Sequence, residues 1–350
     1  MTRVELRHIS NKYILRDVNL TVHDGQLLAL LGPTGAGKTT LLNVIAGIVD
    51  YEGKVLFDGE SVDDKPASKR GVGYVFQDLA LFPHLDVASN IAYGLKVQKK
   101  PLSEIEEKVD ELLKLMKIEH LKNRYPRDLS GGERQRAALA RTLAISPRIL
   151  LLDEPLNNLD RCTRRYLRAE IRQMQKQLNV TTIFVTHDVE EAEEIGDNVA
   201  VIINGKLRQV GTPGDVFSSP VDDEVADLIG SQNVLICSSY RHIGGGLYEV
   251  NCKGTRIVVA CEGSIINKIA IPAKEIYFYN DKPVGPKVNT YKGTILEILS
   301  PSSSVVKMRV KVGENTLLAE LPKDLFNSLG LAEGKEIFLK LKLKSIRAYT

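Results

Sequence analysis

The sequence predicts an α/β domain followed by an all-β one, and three observations carry that prediction. Short, solidly apolar runs alternate with helical patterns over the first 230 residues, as in LLALLG (27–32), RILLLDE (148–154) and TTIFVTHD (181–188). Strands this apolar suit a parallel sheet buried on both faces. After Gly230 the texture changes to short alternating segments broken by Gly, Asn and Pro, among them LYEVNCKG, TRIVVACEG and EIFLKLKLKS. Period-two alternation with closely spaced turns predicts small antiparallel barrels. Charge divides the same way: residues 234–350 hold 17 Lys/Arg against 10 Asp/Glu, residues 1–233 hold 30 against 34. A basic tail suits an anionic ligand or an acidic partner, and equally a solvated face.

A chain of 350 residues, 43% hydrophobic, is long enough for two cores. No run approaches the eighteen or so apolar residues of a membrane span. The start, MTRVELRHIS, lacks the apolar centre of a signal peptide, so the expected compartment is the cytoplasm. Cys162, Cys237, Cys252 and Cys261 show no CxxC spacing and read as buried or idle thiols.

Helical periodicity fills the gaps between the first set of strands. TTLLNVIAGI (39–48), SEIEEKVDELLKLMKI (103–118) and RCTRRYLRAEIRQMQKQL (161–178) repeat their apolar residues every three to four positions. The expected domains are 1–230, with a helical subdomain at about 85–135, and 234–350. The second holds two repeats, about 234–285 and 286–350, because Asn233 and Asn289 open similar units.

The chemistry begins at Gly32-Pro33-Thr34-Gly35-Ala36-Gly37-Lys38-Thr39, which follows LLALL and opens a helix that continues through Thr40. This is the context a phosphate-binding loop of a P-loop NTPase requires. Glycines turn backbone N–H groups toward one point, Lys38 places a charge on the β/γ oxygens, and the Thr39 hydroxyl is a Mg²⁺ ligand. Asp153 ends a buried strand and supplies a Mg²⁺ carboxylate. Glu154, one residue on, can orient or deprotonate the attacking water. His187 closes TTIFVTH at the sheet edge where ligands of parallel sheets gather, with a hydrogen bond to the γ-phosphate and to Glu154 as its expected role. Gln77, in GYVFQD, is a neutral amide that can meet Mg²⁺ or the attacking water.

A second phosphate grammar, LSGGERQR, stands at 129–136, where Ser130, Gly131, Gly132 and Glu133 precede and open a helix. Together with GPTGAGKT, GYVFQD, ILLLDE, NNLD (157–160) and VTHD, in this order, it resembles the ATP-binding-cassette ATPases over residues 1 to about 230. The resemblance implies ATP and Mg²⁺ at the residues above and Tyr13 stacked on the adenine. It also implies a head-to-tail homodimer in which Ser130 and the Gly132 N–H cap the γ-phosphate held by the other copy, with Asp160 at the same interface.

The segment DLALFPHLDVASNIAYGL (78–95) is similar to that of importer ATPases, where it grips a helix of a membrane subunit. Leu81, Phe82, Leu85 and Tyr93 would form that groove. The resemblance thus implies two integral membrane permease subunits, a solute-binding protein acting indirectly, a place on the cytoplasmic face of the membrane, and no nucleic acid. Within the tail, the second repeat looks like small molybdate-binding barrels, through Asn289, Gly293 and LGLAEGKEIFLKLKLK. That similarity implies a molybdate or tungstate ligand held by Lys342 and one of Ser302, Ser303 and Ser304. Lys287 adds charge where the family has an arginine. Molybdate or tungstate is the expected cargo, ahead of a sugar, polyamine, sulfate or iron. The rival from another class is a soluble cassette ATPase acting on nucleic acid or ribosomes.

Overall fold

The structure, a computed structural model, describes residues 2–349 apart from positions 158, 219, 230–231, 262–265, 284–287 and 300–304. The chain divides into two compact units, Met1–Phe217 and Ser218–Thr350.

The first unit opens with β1 (Val4–Ser10), β2 (Val18–Val22), β3 (Leu27–Leu31), α1 (Lys38–Ala46), β4 (Glu52–Phe57), β5 (Glu60–Ser61) and β6 (Val72–Val75). Three helices follow, α2 (Val87–Val97), α3 (Leu102–Leu115) and α4 (Gly131–Ala144). It ends with β7 (Ile149–Asp153), α5 (Arg161–Leu178), β8 (Thr181–Thr186), α6 (Val189–Ile195), β9 (Asn198–Ile203), β10 (Lys206–Gly211) and α7 (Pro213–Ser218).

The apolar runs behave as their composition requires. All five residues of β3, all five of β7 and all six of β8 are buried. They lie inside a six-stranded sheet ordered β10-β9-β3-β8-β7-β6, parallel throughout except at the edge strand β10. Each Leu or Ile so buried contributes about 1.5–3 kcal/mol, so this sheet is the stable platform of the unit. A second, antiparallel sheet runs β2-β1-β4-β5. Leu41 and Ile45 of α1 share one core with Val4 and Phe57 of this sheet and with Leu28, Leu30 and Ile183 of the other. The helix stops at Gly47, whose φ of 75° lets its N–H cap back onto the last turn.

Parallel pairing has a functional consequence, because it brings the same ends of β3, β8, β7 and β6 to one edge. The phosphate loop leaves β3 there, His187 leaves β8, Asp153 ends β7, and Gln77 follows β6. Helices α2, α3 and α4 pack on one another as the expected helical subdomain.

The second unit contains α8 (Asp223–Ile229), β11 (Gln232–Ile236), β12 (Ser239–Gly244), β13 (Leu247–Cys252), β14 (Thr255–Ala260), β15 (Lys268–Pro272) and β16 (Ile276–Tyr279). Beyond it come β17 (Thr290–Ile298), β18 (Val305–Val312), β19 (Asn315–Pro322), α9 (Lys323–Ser328), β20 (Glu336–Leu341) and β21 (Arg347–Tyr349). The change of sequence texture comes after α8, whereas the compact unit begins before it, since α8 packs on β11. Every strand pairing is antiparallel, in sheets ordered β11-β15-β21, β12-β13-β14 and β16-β20-β17-β18-β19.

The two repeats are interlocked. β16 of the first pairs with β20 of the second, and β21 of the second pairs with β15 of the first. Their apolar residues form one core, in which Val250, Ile257 and Phe278 meet Ile295, Val310 and Leu339. The asparagines that mark the repeats secure the exchange. Asn233 accepts from the Leu318 N–H (2.5 Å) and donates to the Leu318 carbonyl (2.8 Å). Asn289 accepts from the Val258 N–H and donates to the Val258 carbonyl, both at 2.7 Å. Each asparagine therefore pairs, as a strand backbone would, with the repeat to which it does not belong.

Asn289→Ala should leave both Val258 backbone groups unpaired, at roughly 1–3 kcal/mol per buried group. Urea unfolding of the full chain, followed by a probe in residues 218–350, should shift to lower denaturant by about that amount, with ATP hydrolysis at low urea unchanged.

Candidate nucleotide site

The loop after β3 is shaped by its glycines. Gly35 and Gly37 sit at φ 79° and 101°, the left-handed region that a side chain would strain. Pro33, Thr34 and Gly35 form an exposed lip, while Ala36, Gly37 and Lys38 are buried beneath it. Lys38 Nζ donates to the carbonyls of Gly32 (2.8 Å) and Pro33 (3.0 Å) and lies 3.6 Å from Glu154 Oε1. Burial pushes its pKa down, against the opposing pull of Glu154 and Asp153. The cation is thus held over the loop by acceptors that an incoming phosphate can replace.

Thr39 opens α1 and donates its hydroxyl to Asp153 Oδ1 at 3.1 Å. Tyr74, on β6, shares its hydroxyl proton between Asn43 Oδ1 (3.0 Å) and Asp153 Oδ2 (3.4 Å). Asp153 is buried, and desolvation raises its pKa; Glu154 adds to that rise, while the Thr39 and Tyr74 hydroxyls and Lys38 oppose it. Adjacent hydroxyl and carboxylate oxygens are the hard donors that magnesium prefers, so Thr39 and Asp153 fit that ion, with the Gln77 amide exposed on the loop after β6.

Glu154 takes φ 44°, a left-handed conformation that turns its side chain away from the line of β7. Its Oε1 faces Lys38, and its Oε2 accepts from Asn157 Nδ2 and lies 3.4 Å from His187 Nδ1. His187 is 47% exposed, so its ring borders the site and solvent together. Phosphate loop, acids and histidine therefore converge as their positions in the sequence imply.

Thr40 is half-buried in the first turn of α1, next to Thr39. Tyr13, in the loop after β1, is 87% exposed, a flat face free for stacking. Ser130 caps α4 in a reciprocal box: its Oγ accepts from the Glu133 N–H (3.4 Å), and Glu133 Oε2 accepts from the Ser130 N–H (2.7 Å). That bond to the Ser130 backbone holds the Glu133 carboxyl below its ordinary pKa. Gly132 packs against Thr163 of α5, where an added Cβ would stand 3.2 Å from the threonine methyl. Asp160 caps α5 by accepting from the N–H groups of Cys162 (3.0 Å) and Thr163 (3.1 Å). A cavity of about 300 Å³ joins these loops, lined by Gln77, Gly131, Arg134, Gln135, Asn157 and Leu159.

Several residues of the site carried no signal in the sequence. Arg141, in the AALARTLA half of α4, donates to the carbonyls of Ala80 (2.5 Å) and Leu79 (2.9 Å), whose φ values are 43° and 62°. Asn90 is fully buried and holds the same loop through Phe82, Leu85 and Asp86. An arginine among small apolar residues is the one cue that could have pointed to this loop support. Beside it the Phe82 ring packs, tilted by 43° and 4.5 Å between centres, on Tyr93, which is exposed, while Leu81 and Leu85 are half-buried.

Of the expected anion residues of the second unit, the structure describes Lys342. Lys342 Nζ lies 3.4 Å from Glu275 Oε2 and 5.9 Å from the Tyr277 ring centre, so its charge is already met by a carboxylate. Ser302, Ser303, Ser304 and Lys287 lie outside the described residues.

Because desolvation raises the Asp153 pKa, the ionised form is disfavoured in the folded chain. The unfavourable term is absent at pH values where Asp153 is protonated in both states and is fully present above its folded pKa. Asp153→Asn should therefore raise the thermal midpoint of the nucleotide-free protein at pH 7–8, with the gain shrinking toward pH 4, while ATP hydrolysis is lost.

A family model described as ABC transporter matches residues 15–157. The molybdate/tungstate import ATP-binding protein WtpC of Pyrococcus abyssi is 38% identical over 97% of this chain and 96% of its own length. The sulfate/thiosulfate import ATP-binding protein CysA of Bacillus cereus is 38% identical over the same shares. A solved structure of the ATP-binding cassette MJ0796, a dimeric post-hydrolysis state bound to ADP and Pi, is 28% identical. It aligns with a TM-score of 0.54 over 60% of this chain and 98% of that one. With its phosphate loop, acids and histidine at one sheet edge, and with relatives matched end to end, the chain belongs to the ABC transporter family as an import ATPase.

Proposed function

We propose that the chain powers uptake of a tetrahedral oxyanion, molybdate or tungstate, by hydrolysing ATP at two sites formed across a head-to-tail pair of its own copies. The observation that carries the dimer is the Ser130 cap. Its hydroxyl sits at the positive end of α4, and among the described residues the partners of Lys38 include none from the α4 N-terminus. A serine so presented serves an anion held by another molecule, and the dimeric state of the MJ0796 structure supports that reading.

In that assembly Tyr13 stacks on adenine, the loop Gly32–Thr40 wraps the phosphates, and Lys38 exchanges its two carbonyls and Glu154 for phosphate oxygens. Mg²⁺, held by Thr39, Asp153 and Gln77, supplies charge neutralisation at the phosphates. Glu154, relieved of Lys38, accepts a proton from the attacking water, while His187 hydrogen-bonds the γ-phosphate and steadies the Glu154 carboxylate. Asp160 contributes to the dimer face. Two membrane permease subunits take up the motion at the groove of Phe82 and Tyr93 on the cytoplasmic side, and a solute-binding protein delivers the cargo to them.

Similarity to a molybdate/tungstate relative through both units supports the cargo. Sulfate is the second reading, because a sulfate/thiosulfate relative matches equally well. Uptake of labelled tungstate and sulfate by vesicles holding the complete transporter separates them. Feedback by the anion through the second unit remains part of the proposal, with Lys342 exchanging its half-exposed ion pair with Glu275 for the anion.

Glu154→Gln should bind ATP yet hydrolyse it at least about 100-fold more slowly, and it should elute as a dimer with ATP and a monomer without. Full activity in Glu154→Gln, or hydrolysis at full rate by an isolated monomer, would contradict the mechanism. Mixing Ser130→Ala with Lys38→Ala chains should restore hydrolysis, because one hybrid site per dimer is intact; no recovery at any ratio would rule out the shared site.

A further inference from the structure

We infer that Arg164 is a positioning residue that ties the loop before α5 to the loop carrying His187, so that movement at Asp160 is felt at His187. The inference rests on the roles proposed above for those two residues, and it concerns how they are joined.

Arg164 lies in the first turn of α5, and its guanidinium spans three acceptors. Nη2 donates to the Leu159 carbonyl at 3.1 Å, and Nη1 donates to Asp188 Oδ2 at 3.5 Å. Nε stands 3.7 Å from Glu191 Oε1, an ion pair without a hydrogen bond. Leu159 immediately precedes Asp160, and Asp188 immediately follows His187. One rigid fork therefore touches the neighbours of both functional residues.

The far side of His187 is held by the same network. Thr186, buried at the end of β8, donates to Glu191 Oε2 at 2.6 Å and accepts from the Asp188 N–H at 2.9 Å. Asp188 also caps α6 through the N–H groups of Glu190 (2.8 Å) and Glu191 (3.2 Å). Glu191 is itself buried, with its pKa raised by desolvation, so it depends on the cations Arg164 and Arg168 nearby. Remove Arg164 and the backbone on each side of His187 loses an anchor or its counter-charge. Displacement of the histidine ring by even 1 Å matters at a reacting phosphate.

Two further ion pairs extend from α5, Arg168 to Glu194 of α6 at 3.1 Å and Arg172 to Asp197, just past the end of α6, at 2.6 Å. They fasten the helices but reach neither loop. Arg164 differs in its bond to the Leu159 carbonyl, and its planar set of donors is something a lysine ammonium cannot reproduce. Arg164→Lys is accordingly the informative change, for it keeps the charge and loses the fork.

The test compares steady-state ATP hydrolysis of the full chain, assembled with its permease subunits, for Arg164→Lys, Arg172→Lys, His187→Ala and the double variant Arg164→Lys/His187→Ala. Arg164→Lys should lower kcat about tenfold with KM for ATP within about twofold, whereas Arg172→Lys should stay within about twofold in both. In the His187→Ala background the further loss from Arg164→Lys should be under about twofold, since two residues acting through one another are not additive. Full independent losses in the double variant, an equal effect of Arg172→Lys, or unchanged kcat in Arg164→Lys would each overturn the inference. Should His187→Ala leave no measurable rate, the comparison with Arg172→Lys decides. A His187→Ala enzyme of wild-type activity would instead remove the role given to His187, and this inference with it. Thermal melting accompanies each variant; if Arg164→Lys does not fold, Arg164→Gln replaces it, and failure of both to fold marks the residue as structural and overturns the proposal.

Discussion

Asp153 is a carboxylate that folding must bury at the end of a fully buried strand, and much of the nucleotide site is arranged around it. A charge in such a place needs hydrogen-bond donors or it loses its proton. The Thr39 hydroxyl and the Tyr74 phenol supply them, one from α1 and one from β6. These bonds join the phosphate loop and two adjacent strands into one rigid edge. Burial of Lys38 a few ångströms away adds a cation whose charge is also disfavoured by desolvation. The nucleotide-free site therefore holds ions of both signs in a poorly solvated place, and phosphate with its metal completes what the protein leaves electrostatically unsatisfied.

That constraint explains why so much of the first unit was legible in the sequence. A strand of four apolar residues ending in Asp153 and Glu154 can be buried only in a sheet covered on both faces, and parallel pairing then delivers its end to the phosphate loop. Lys38, Thr39, Asp153, Glu154 and His187 were readable because each sits at a fixed place relative to an apolar run. The supports of the site were not. Tyr74, Asn90, Arg141 and Arg164 act on residues that are near only after folding, and no periodicity marks them.

The second unit shows the same limit from the other side. Alternation in β18 and β20 correctly assigns their buried and exposed faces, because the pleat has a period of two. It says nothing about which strand lies alongside, and so the exchange of β16 and β21 between repeats was invisible. Lys342 is an example: strand exchange sets it beside Glu275 of the other repeat, a neighbour that its place on a strand end does not reveal.

The interlocking also bears on how a signal could pass through the second unit. Two independently closed barrels would respond separately, each repacking its own core. Here Asn233 and Asn289 each hold a strand of the opposite repeat, and the apolar side chains form one cluster. A ligand or partner that shifted one repeat would have to break hydrogen bonds and packing in the other at the same time. Such a unit tends to move as a whole or not at all. In the cassette the tie is of another kind: Arg164 joins two loops through hydrogen bonds at the edge of a fully buried strand, without a shared apolar core.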